Sequence, residues 1–505
     1  SFIIFILFFI FNIKNIFLFF FTFYKNKFSS NVHFTLTSSL LKKYIDNNYL
    51  FHTIRNSSLL IRNITQEVPM IHNVILQFMI IFTEILVIAG ISIFLIYINP
   101  LVTFYIFLMS LLFFLIHYFF INNYADHLGK LKVYHTGEFI KHFMQGLGSI
   151  KLTKILGKHE YFKNNFNKHM LQYTNINYVQ RTIAEAPRLF IEIISLSSII
   201  LLVYYLLFFR NNELSSVLAF LTVYLASLIR IVPSISRVMS ALTVLSSSNK
   251  SIQVIYDDLK TNEFNDLYIL KTSQIENFKF KSEGILDIKN ISFNYPDRNK
   301  VIKDVTLTIK SGEVIGLIGQ SGSGKSTLVD LIIGILEINS GSINYNNINI
   351  FNNINSWKKL IGYVPQEIYL TDDSILNNIA FGEYVSNINK DKINILLKEL
   401  NLYEFISSLP NGVETKVGER GIQISGGQLQ RIGIARALYH DPSIIILDEA
   451  TSALDKDNED LIINQINKFR KNKIIIIVSH KYNSVKICDR IYKLENGSLN
   501  LHERD

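Results

Sequence analysis

The residue types best suited to chemistry lie in a glycine-rich stretch, VIGLIGQSGSGKSTLV, at residues 314–329. The stretch matches the pattern G-x-x-x-x-G-K-[ST] at Gly319, Gly324, Lys325 and Ser326. Glycines allow successive backbone N–H groups to turn inward as a nest for phosphate oxygens, and Lys325 can reach the β- and γ-phosphates. The Ser326 hydroxyl can ligate Mg²⁺. The stretch therefore predicts a binding site for a nucleoside triphosphate.

Two carboxylates end an apolar run, IIILDE, at residues 444–449. Asp448 is suited to hold Mg²⁺ through water, and Glu449 is suited to polarise a water that attacks the nucleotide. An apolar run that ends in Asp-Glu is a weak signal alone. Beside the phosphate-binding pattern it predicts hydrolysis, with ATP and Mg²⁺ as the expected ligands.

Buried strands and one helix must position these groups. The apolar run at residues 314–318 predicts a strand that leads into the glycine loop. The pattern at residues 327–335 predicts a helix that leaves it, with the positive end of its dipole toward the phosphates. Residues 444–449 and 474–478 predict further buried strands. Residues 284–505 are therefore expected to form an α/β P-loop NTPase domain.

The upstream part, residues 1–258, is far more apolar than the rest of the chain. It contains five runs long enough to span a bilayer, which takes about 20 residues. Five such runs exceed what the core of a soluble domain would hold. We predict an α-helical polytopic membrane domain, joined to the NTPase domain by a linker at residues 259–283. The runs lie at residues 1–24, 75–97, 101–121, 189–209 and 214–235.

The charges of the connections orient these spans. The connections after the first and third runs are long and basic, whereas residues 98–100 and 210–213 carry no net charge. The positive-inside rule places the long connections and the NTPase domain in the cytoplasm. The first residue, which is not Met, is then outside, and the number of spans is odd. We infer a fragment that lacks one preceding helix; a cleaved signal peptide is the alternative.

The cytoplasmic connections are helical in pattern at residues 40–49 and 136–143, which predicts helices that continue beyond the membrane. Between them, residues 49–55 and 150–158 are predicted to be turns that contact a soluble domain.

Charged residues within spans are costly and therefore informative. Arg188 and Arg237 lie at cytoplasmic ends, where snorkelling explains them. For Arg230 and Lys14 we expect an inward-facing position, either paired with an acidic residue of the spans or lining a polar cavity. The charged residues well inside the spans are Lys14, Glu84, Glu192 and Arg230.

The net charge of +9 over 505 residues raises the question of whether the protein binds nucleic acid. The basic residues are scattered or lie beside apolar runs, so the bias of cytoplasmic membrane loops explains them better. The single cysteine, Cys488, excludes an intrachain disulfide framework.

Residues 424–428, ISGGQ, resemble the LSGGQ signature of the ATP-binding cassette (ABC) ATPases, with Ile424 in place of Leu. A serine and two glycines at a helix start present backbone N–H groups to a phosphate. In this family two cassettes assemble head to tail. The resemblance therefore implies a dimer with a second copy of the chain, in which each signature covers the ATP held by the other subunit.

Four further positions match the family. Tyr295 resembles the aromatic residue that stacks on adenine, and Gln366, in YVPQE, resembles the Q-loop glutamine that reaches Mg²⁺ and the attacking water. Asp455 resembles the D-loop residue at the dimer interface, and His480 the switch histidine that contacts the γ-phosphate. The resemblance implies the catalytic residues Glu449, His480 and Gln366, the Mg²⁺ ligands Ser326, Gln366 and Asp448, and the ATP-binding residues Tyr295, Gly319, Ser321, Gly322, Gly324, Lys325, Ser326, Thr327, Ser425, Gly426, Gly427, Gln428 and Asp455.

TKVGERG, at residues 415–421, is similar to the TEVGERG stretch of ABC exporters, with Lys416 at a usually acidic position. In that family Glu419 would contact the coupling helices of the membrane domain. The resemblance covers nearly the whole chain: a six-helix exporter half without its first helix, followed by one cassette.

Residues 40–68 resemble the first cytoplasmic loop of bacterial flippases for lipid-linked oligosaccharides, and lipid A exporters share the architecture. The resemblance implies a homodimer in a bacterial inner membrane, surrounded by membrane lipids, that moves a lipid-linked substrate. The cations in the spans suit a pyrophosphate headgroup, and would also suit lipid A or an acidic peptide. An exporter of peptides or hydrophobic drugs is the alternative. The spans disfavour a non-transporting ABC ATPase that engages nucleic acid.

Overall fold

The computed structural model of the chain describes residues 2–98, 100–208, 214–260, 280, 283–296, 300–418, 424–450, 459, 464–465, 467–480 and 482–502. The chain divides into two compact units: a helical unit of residues 1–47 and 51–262, and an α/β unit of residues 263–505 with which residues 48–50 are grouped. The predicted linker lies almost entirely outside the described residues.

Five long helices contain the described residues of the five apolar runs. The helix of the first run has 45 residues, about 68 Å at 1.5 Å per residue, so it is longer than a bilayer core of about 30 Å. The helices are α1 (Phe2–Asp46), α2 (Tyr49–Ile54), α3 (Ser57–Arg62), α4 (Val68–Ile98), α5 (Pro100–Gly148), α6 (Ile150–Ile155), α7 (His159–Phe208) and α8 (Leu214–Lys260), and a π-helical segment (Asn63–Glu67) joins α3 to α4.

Within the described residues, three helical stretches are long and apolar enough to cross a membrane: Phe2–Asp46, Ser57–Ile98 and Leu221–Lys260. The helices continue beyond the apolar runs, as expected. The two predicted turns at residues 49–55 and 150–158 contain the short helices α2 and α6 instead. Each short helix follows a residue with a polar side chain, Asn48 or Ser149, a type that competes with the backbone for hydrogen bonds and so interrupts long helices.

A buried carboxylate ties the end of α1 and the segment after α2 to the end of α8. Asp258 Oδ2 accepts hydrogen bonds from the Tyr44 hydroxyl at 2.5 Å and from Asn63 Nδ2 at 2.7 Å. Its Oδ1 accepts one from Arg55 Nη1 at 2.6 Å. Both oxygens are thereby satisfied, and the Asp258 side chain is 6% exposed. Residues near the ends of α1, α2 and α8 are therefore held to one group.

Asp258→Ala is expected to destabilise the helical unit by about 3 kcal/mol, because removing one partner of a buried pair leaves the others without a satisfied hydrogen bond. The thermal unfolding of the purified protein in detergent should move to lower temperature. Asp257→Ala is the matched control, since Asp257 is the exposed neighbour on the same helix. Equal unfolding temperatures for the two variants would contradict a stabilising role for the network.

The charged residues of the spans pair differently from our expectation. Glu84 on α4 accepts two hydrogen bonds from Arg237 on α8, at 2.6 and 3.0 Å. Glu192 pairs with Arg188, one turn away on α7, at 2.9 Å. The ion-pair partners of these carboxylates among the described residues are therefore Arg237 and Arg188 rather than Arg230 or Lys14, although the charge of Arg230 also acts on Glu84. The packing of α4 against α8 sets Glu84 beside Arg237, two turns beyond Arg230 on the same face of α8.

The remaining two cations of the spans are exposed on the single chain. The Lys14 ammonium lies over the Phe11 ring, 4.3 Å from its centroid. Arg230 projects from the face of α8 that also carries Arg237.

The α/β unit contains two sheets in its described part. Strands β1 (Ile285–Phe293), β2 (Ile302–Lys310), β4 (Ser340–Tyr345) and β5 (Ile348–Asn349) form an antiparallel sheet in the order β2-β1-β4-β5. A second sheet has the order β10-β9-β3-β8-β7-β6. Its members are β3 (Val314–Ile318), β6 (Ile361–Val364), β7 (Ile444–Asp448), β8 (Ile474–Ser479), β9 (Arg490–Glu495) and β10 (Ser498–His502).

In the second sheet all neighbours are parallel except β9 and β10. Strands β7 and β8 are buried along their whole length, which is why they read as unbroken apolar runs rather than alternating ones. Parallel strands share one carboxyl-terminal edge, where α/β folds bind ligands. The α-helices of this unit whose bounds lie within the described residues are α9 (Lys325–Ile333), α10 (Ile354–Lys358), α11 (Ile375–Ile379), α12 (Lys390–Glu399), α13 (Tyr403–Ser407) and α14 (Gly426–Tyr439).

Candidate active site

The glycine loop connects β3 to α9, and α9 begins at Lys325, two residues before the predicted start. Gly322 and Gly324 adopt φ angles of +80° and +104°, which side chains rarely tolerate. A Cβ at Gly319 would lie 2.6 Å from the Leu494 carbonyl oxygen. The loop therefore requires glycine at these positions, and the free N–H groups of the first turn of α9 open toward it.

Lys325 lies at the centre of this loop and is buried. Its ammonium donates hydrogen bonds to the carbonyl oxygens of Gly319 at 2.8 Å and Gln320 at 3.1 Å, and it lies 3.4 Å from His480 Nδ1. Burial lowers the pKa of Lys325, and the carboxylates of Glu449 and Asp448 counter that shift. The cation is thus held at the loop, where phosphate oxygens would replace the carbonyl partners.

The hydroxyl residues after Lys325 take different partners. The Ser326 hydroxyl lies near enough to the Asp448 carboxylate to lower the pKa of Asp448, against the effect of burial. Thr327 is buried, and its hydroxyl lies 3.3 Å from that of Tyr295, the predicted adenine-stacking residue. The Tyr295 ring packs edge-on against Phe293, with 5.0 Å between ring centroids. The Ser321 side chain is exposed in the loop.

Asp448 and Glu449, the two acidic residues at the end of the apolar run, differ in backbone conformation. Asp448 is the last residue of the strand and is buried. Glu449 has a φ of +49°, a left-handed conformation that is unusual for a side-chain residue, and its N–H donates to the Val478 carbonyl at 3.0 Å. After this backbone turn the Glu449 carboxylate reaches side chains that follow the two neighbouring strands, β6 and β8.

Glu449 binds the two other predicted catalytic residues. Its Oε2 accepts a hydrogen bond from Gln366 Nε2 at 2.8 Å, and its Oε1 lies 2.5 Å from His480 Nε2. His480 Nδ1 lies 3.0 Å from the Gly319 carbonyl oxygen. Gln366 follows β6 and His480 follows β8, the neighbours of β7 on either side. The ends of three adjacent strands therefore bring Glu449, Gln366 and His480 together beside the phosphate-binding loop.

Negative charge is concentrated at this edge. Burial, followed by the charge of Glu449, raises the pKa of Asp448. Burial, followed by the charge of Asp448, raises the pKa of Asp330 on α9 to about 6. A divalent cation offsets such crowding, and a hydroxyl next to a carboxylate is the oxygen donor set that Mg²⁺ prefers. Ser326 and Asp448 therefore fit the predicted Mg²⁺ site.

Sequence reasoning missed Tyr363, whose hydroxyl donates to Asp448 Oδ2 at 3.4 Å. Tyr363 is on β6, three residues before Gln366. One sequence does not show strand order, so only the pairing of β6 with β7 in the structure brings Tyr363 to Asp448.

The signature residues form the start of α14. Ser425 caps this helix: its Oγ accepts from Gln428 N at 3.4 Å, and Gln428 Oε1 accepts from Ser425 N at 3.0 Å. Gly426 and Gly427 are the first two helical residues, so their N–H groups have no partner within the helix. The predicted D-loop residue Asp455 and the predicted coupling residue Glu419 lie outside the described residues.

Two family descriptions match the chain in succession. Residues 1–232 match the ABC transporter transmembrane region, and residues 302–452 match the ABC transporter family. A solved structure, a bacterial Atm1-family ABC exporter with ATP bound, has the same fold with a TM-score of 0.80. The match covers 94% of this chain and 82% of that one, at 18% identity.

Curated relatives are similar over shorter segments. The heterocyst differentiation ATP-binding protein HepA of a Nostoc species is 35% identical over 54% of this chain and 44% of its own length. The ATP-dependent lipid A-core flippase of Pseudoalteromonas translucida is 39% identical over 43% of this chain and 38% of its own length. Human ATP-binding cassette sub-family B member 5 is 41% identical over 43% of this chain and 17% of its own length. The chain thus matches less than half the length of each of these relatives.

The phosphate-binding loop, the carboxylate cluster and the capped signature helix occur in one α/β unit, which a helical transmembrane unit precedes. This order is shared by both family matches and by the solved exporter fold. The chain belongs to the ABC transporter family: it has a transmembrane region followed by an ABC ATPase domain, in the fold of the solved exporter.

Proposed function

We propose that this chain is an ATP-driven exporter that flips a lipid-linked substrate across a bacterial inner membrane. The observation that carries the proposal is the cluster of Glu449, Gln366 and His480 beside the loop of Lys325, in a chain that also has membrane-spanning helices. Hydrolysis of ATP by this cluster would drive rearrangement of the helical unit.

In the hydrolytic step the Glu449 carboxylate would take a proton from the attacking water as general base. Gln366 donates to one oxygen of that carboxylate and fixes its direction. Lys325 and His480 would face the γ-phosphate and stabilise the negative charge that develops there. Bound Mg²⁺, held by Ser326 and Asp448, would neutralise charge on the β- and γ-phosphates.

A dimer follows from the signature. The free N–H groups at the start of α14 are suited to a γ-phosphate, as the phosphate loop is. We propose that they serve the ATP of a second copy of this chain, in the head-to-tail arrangement of the family. The full site would then need two subunits.

Two features of the helical unit support an amphiphilic substrate. A cavity of about 550 Å³ lies among α4, α5 and α8 and is lined mainly by apolar side chains, including Leu95, Phe104 and Ile231. Glu84 and Arg237 pair on the same helices, and the charge of Arg230 also acts on Glu84. Acyl or prenyl chains suit the cavity, and an anionic headgroup suits exposed guanidinium groups. One relative is named a lipid A-core flippase.

Reconstitution of the full-length protein in liposomes tests this proposal. We expect a polyprenyl-pyrophosphate oligosaccharide to stimulate ATP hydrolysis and to be flipped in an ATP-dependent manner. Lipid A and a hydrophobic peptide are the comparison substrates, measured at equal mole fraction. Stimulation by the peptide alone would favour a peptide or drug exporter, and no response to either lipid would contradict a lipid-linked substrate.

Arg237→Gln is the informative variant, with Arg188→Gln as its matched control. Both arginines pair with a glutamate of the helical unit, but only Arg237 joins two helices, α8 and α4. A role in headgroup binding predicts that Arg237→Gln raises the substrate concentration for half-maximal stimulation, with basal hydrolysis unchanged. An equal effect of both variants would argue against a specific headgroup site.

A further inference from the structure

A cluster of histidine and glutamate side chains lies between α5 and α7, well away from the ATPase site in the chain. Glu138 and His142 on α5 and His169 on α7 each place one ligand atom within 4.8 Å of the others. His135 Nδ1 lies 3.0 Å from His169 Nδ1. Among the described residues, this is the one group of three or more His, Cys, Asp or Glu side chains with such spacing.

We propose that Glu138, His142 and His169, with His135 beside them, form a binding site for a divalent transition-metal ion such as Zn²⁺. Imidazole and carboxylate are the ligand types that Zn²⁺ takes when no thiolate is present. The 3.0 Å between His135 Nδ1 and His169 Nδ1 is the length of a hydrogen bond. Two imidazole nitrogens bound tetrahedrally to one Zn²⁺ at about 2.05 Å lie about 3.3 Å apart, so these two rings would need to separate only slightly to share an ion.

The local helix geometry supports a shared site. His135, Glu138 and His142 are three and four residues apart, so they lie on one face of α5. His142 and His169 stack with 5.7 Å between ring centroids. His142 Nδ1 is buried and has no hydrogen-bond partner, which is unusual for a buried nitrogen and leaves its lone pair or proton unused. A metal ligand role would supply the missing partner.

One cation competes with the proposed metal. The Lys141 ammonium contacts Glu138 Oε2 at 3.2 Å, but the Lys141 side chain is 37% exposed and can turn to solvent. The cluster begins about four helical turns beyond the apolar run that ends at residue 121, so it lies in the cytoplasmic part of α5. A metal bound there would fasten α5 to α7 near α6, the short helix that joins them.

The test is a Zn²⁺ titration of the purified full-length protein, after removal of its affinity tag and treatment with EDTA. Competition with a fluorescent zinc chelator should give one site per chain. His169→Gln and His142→Gln should each weaken binding by at least about tenfold, the loss typical even for groups that only support a metal ligand. His159→Gln on α7 and His127→Gln on α5 are matched controls, because both histidines are exposed.

Lys141→Gln distinguishes a metal site from a cluster of side chains that only pack together. Its removal frees the Glu138 carboxylate, so Zn²⁺ should bind more tightly, by about tenfold for one charge-assisted contact. Co²⁺ substitution should give the visible absorption of a tetrahedral ion, and His169→Gln should abolish it. Equal Zn²⁺ affinity in the wild type and both histidine variants, or octahedral Co²⁺ spectra throughout, would overturn the proposal. A thermal melt of each variant shows that it is folded.

Discussion

Glu449→Gln is expected to bind ATP as the wild type does and to hydrolyse it at least about 100-fold more slowly, a loss typical of removing a general base. The amide keeps the size of the carboxylate and one oxygen that can accept from Gln366 Nε2. It cannot take the proton of an attacking water. The barrier should therefore rise by about 2.7 kcal/mol or more while the bound state is unaffected.

Phosphate release and the binding of a fluorescent ATP analogue would be measured on the same purified full-length protein. Glu399→Gln, at the exposed end of α12, is the matched control for a Glu-to-Gln change in this unit. Wild-type hydrolysis in Glu449→Gln would remove this residue from the role of base. Loss of ATP binding would mean that the carboxylate has a structural role in the loop.

Lys325→Met should lose nucleotide binding as well as hydrolysis. Methionine has a similar length and no charge, so it removes the ammonium that the loop holds near the carbonyl oxygens of Gly319 and Gln320. Hydrogen bonds from a charged donor contribute about 1.5–3 kcal/mol each, so one such bond corresponds to a tenfold to 150-fold loss of affinity. The measurement is ATP-analogue affinity, with Lys310→Met at the exposed end of β2 as control. Unchanged affinity would contradict phosphate binding by Lys325.

Lys325→Met also tests the proposed site shared between two subunits. Ser425→Arg would block phosphate binding by the signature. Neither Ser425→Arg alone nor Lys325→Met alone should therefore hydrolyse ATP. In a mixed head-to-tail dimer, one site combines an intact Lys325 with an intact Ser425 of the other chain. Mixing the two proteins before reconstitution should therefore restore part of the hydrolysis. No recovery, with dimerisation shown by crosslinking, would contradict sites shared between two subunits.

The phosphate loop shows which features of the site can be predicted from one sequence. Strand, loop and helix are contiguous at residues 314–333, so their order and the glycines at Gly319 and Gly324 are readable locally. The ABC family, the exporter fold and the ATPase domain were predicted from such contiguous motifs and are confirmed by the matches. The substrate and the dimer are proposals, because each depends on a partner molecule outside this chain.

The loop at residues 40–68 shows a different limit. Its resemblance to flippase loops suggested a substrate class, yet in the structure Arg55 and Asn63 bind the Asp258 carboxylate, and Arg62 lies 3.4 Å from Glu67. These residues hold helices together. Proteins that resemble this chain in this loop can therefore share the packing of these helices as well as a substrate.

By itself the sequence determined the apolar spans, the buried strands and the nucleotide-binding and catalytic residue types, because each depends on residues close together in the chain. Tertiary structure alone decided which distant groups meet. Glu84 meets Arg237 across 153 positions, and Gln366 meets Glu449 across 83. Periodicity shows which face of a helix or strand is buried, but the neighbour on that face depends on strand order and on how many side chains interdigitate at once. The cluster of His135, Glu138, His142 and His169 became visible only when α7 lay beside α5.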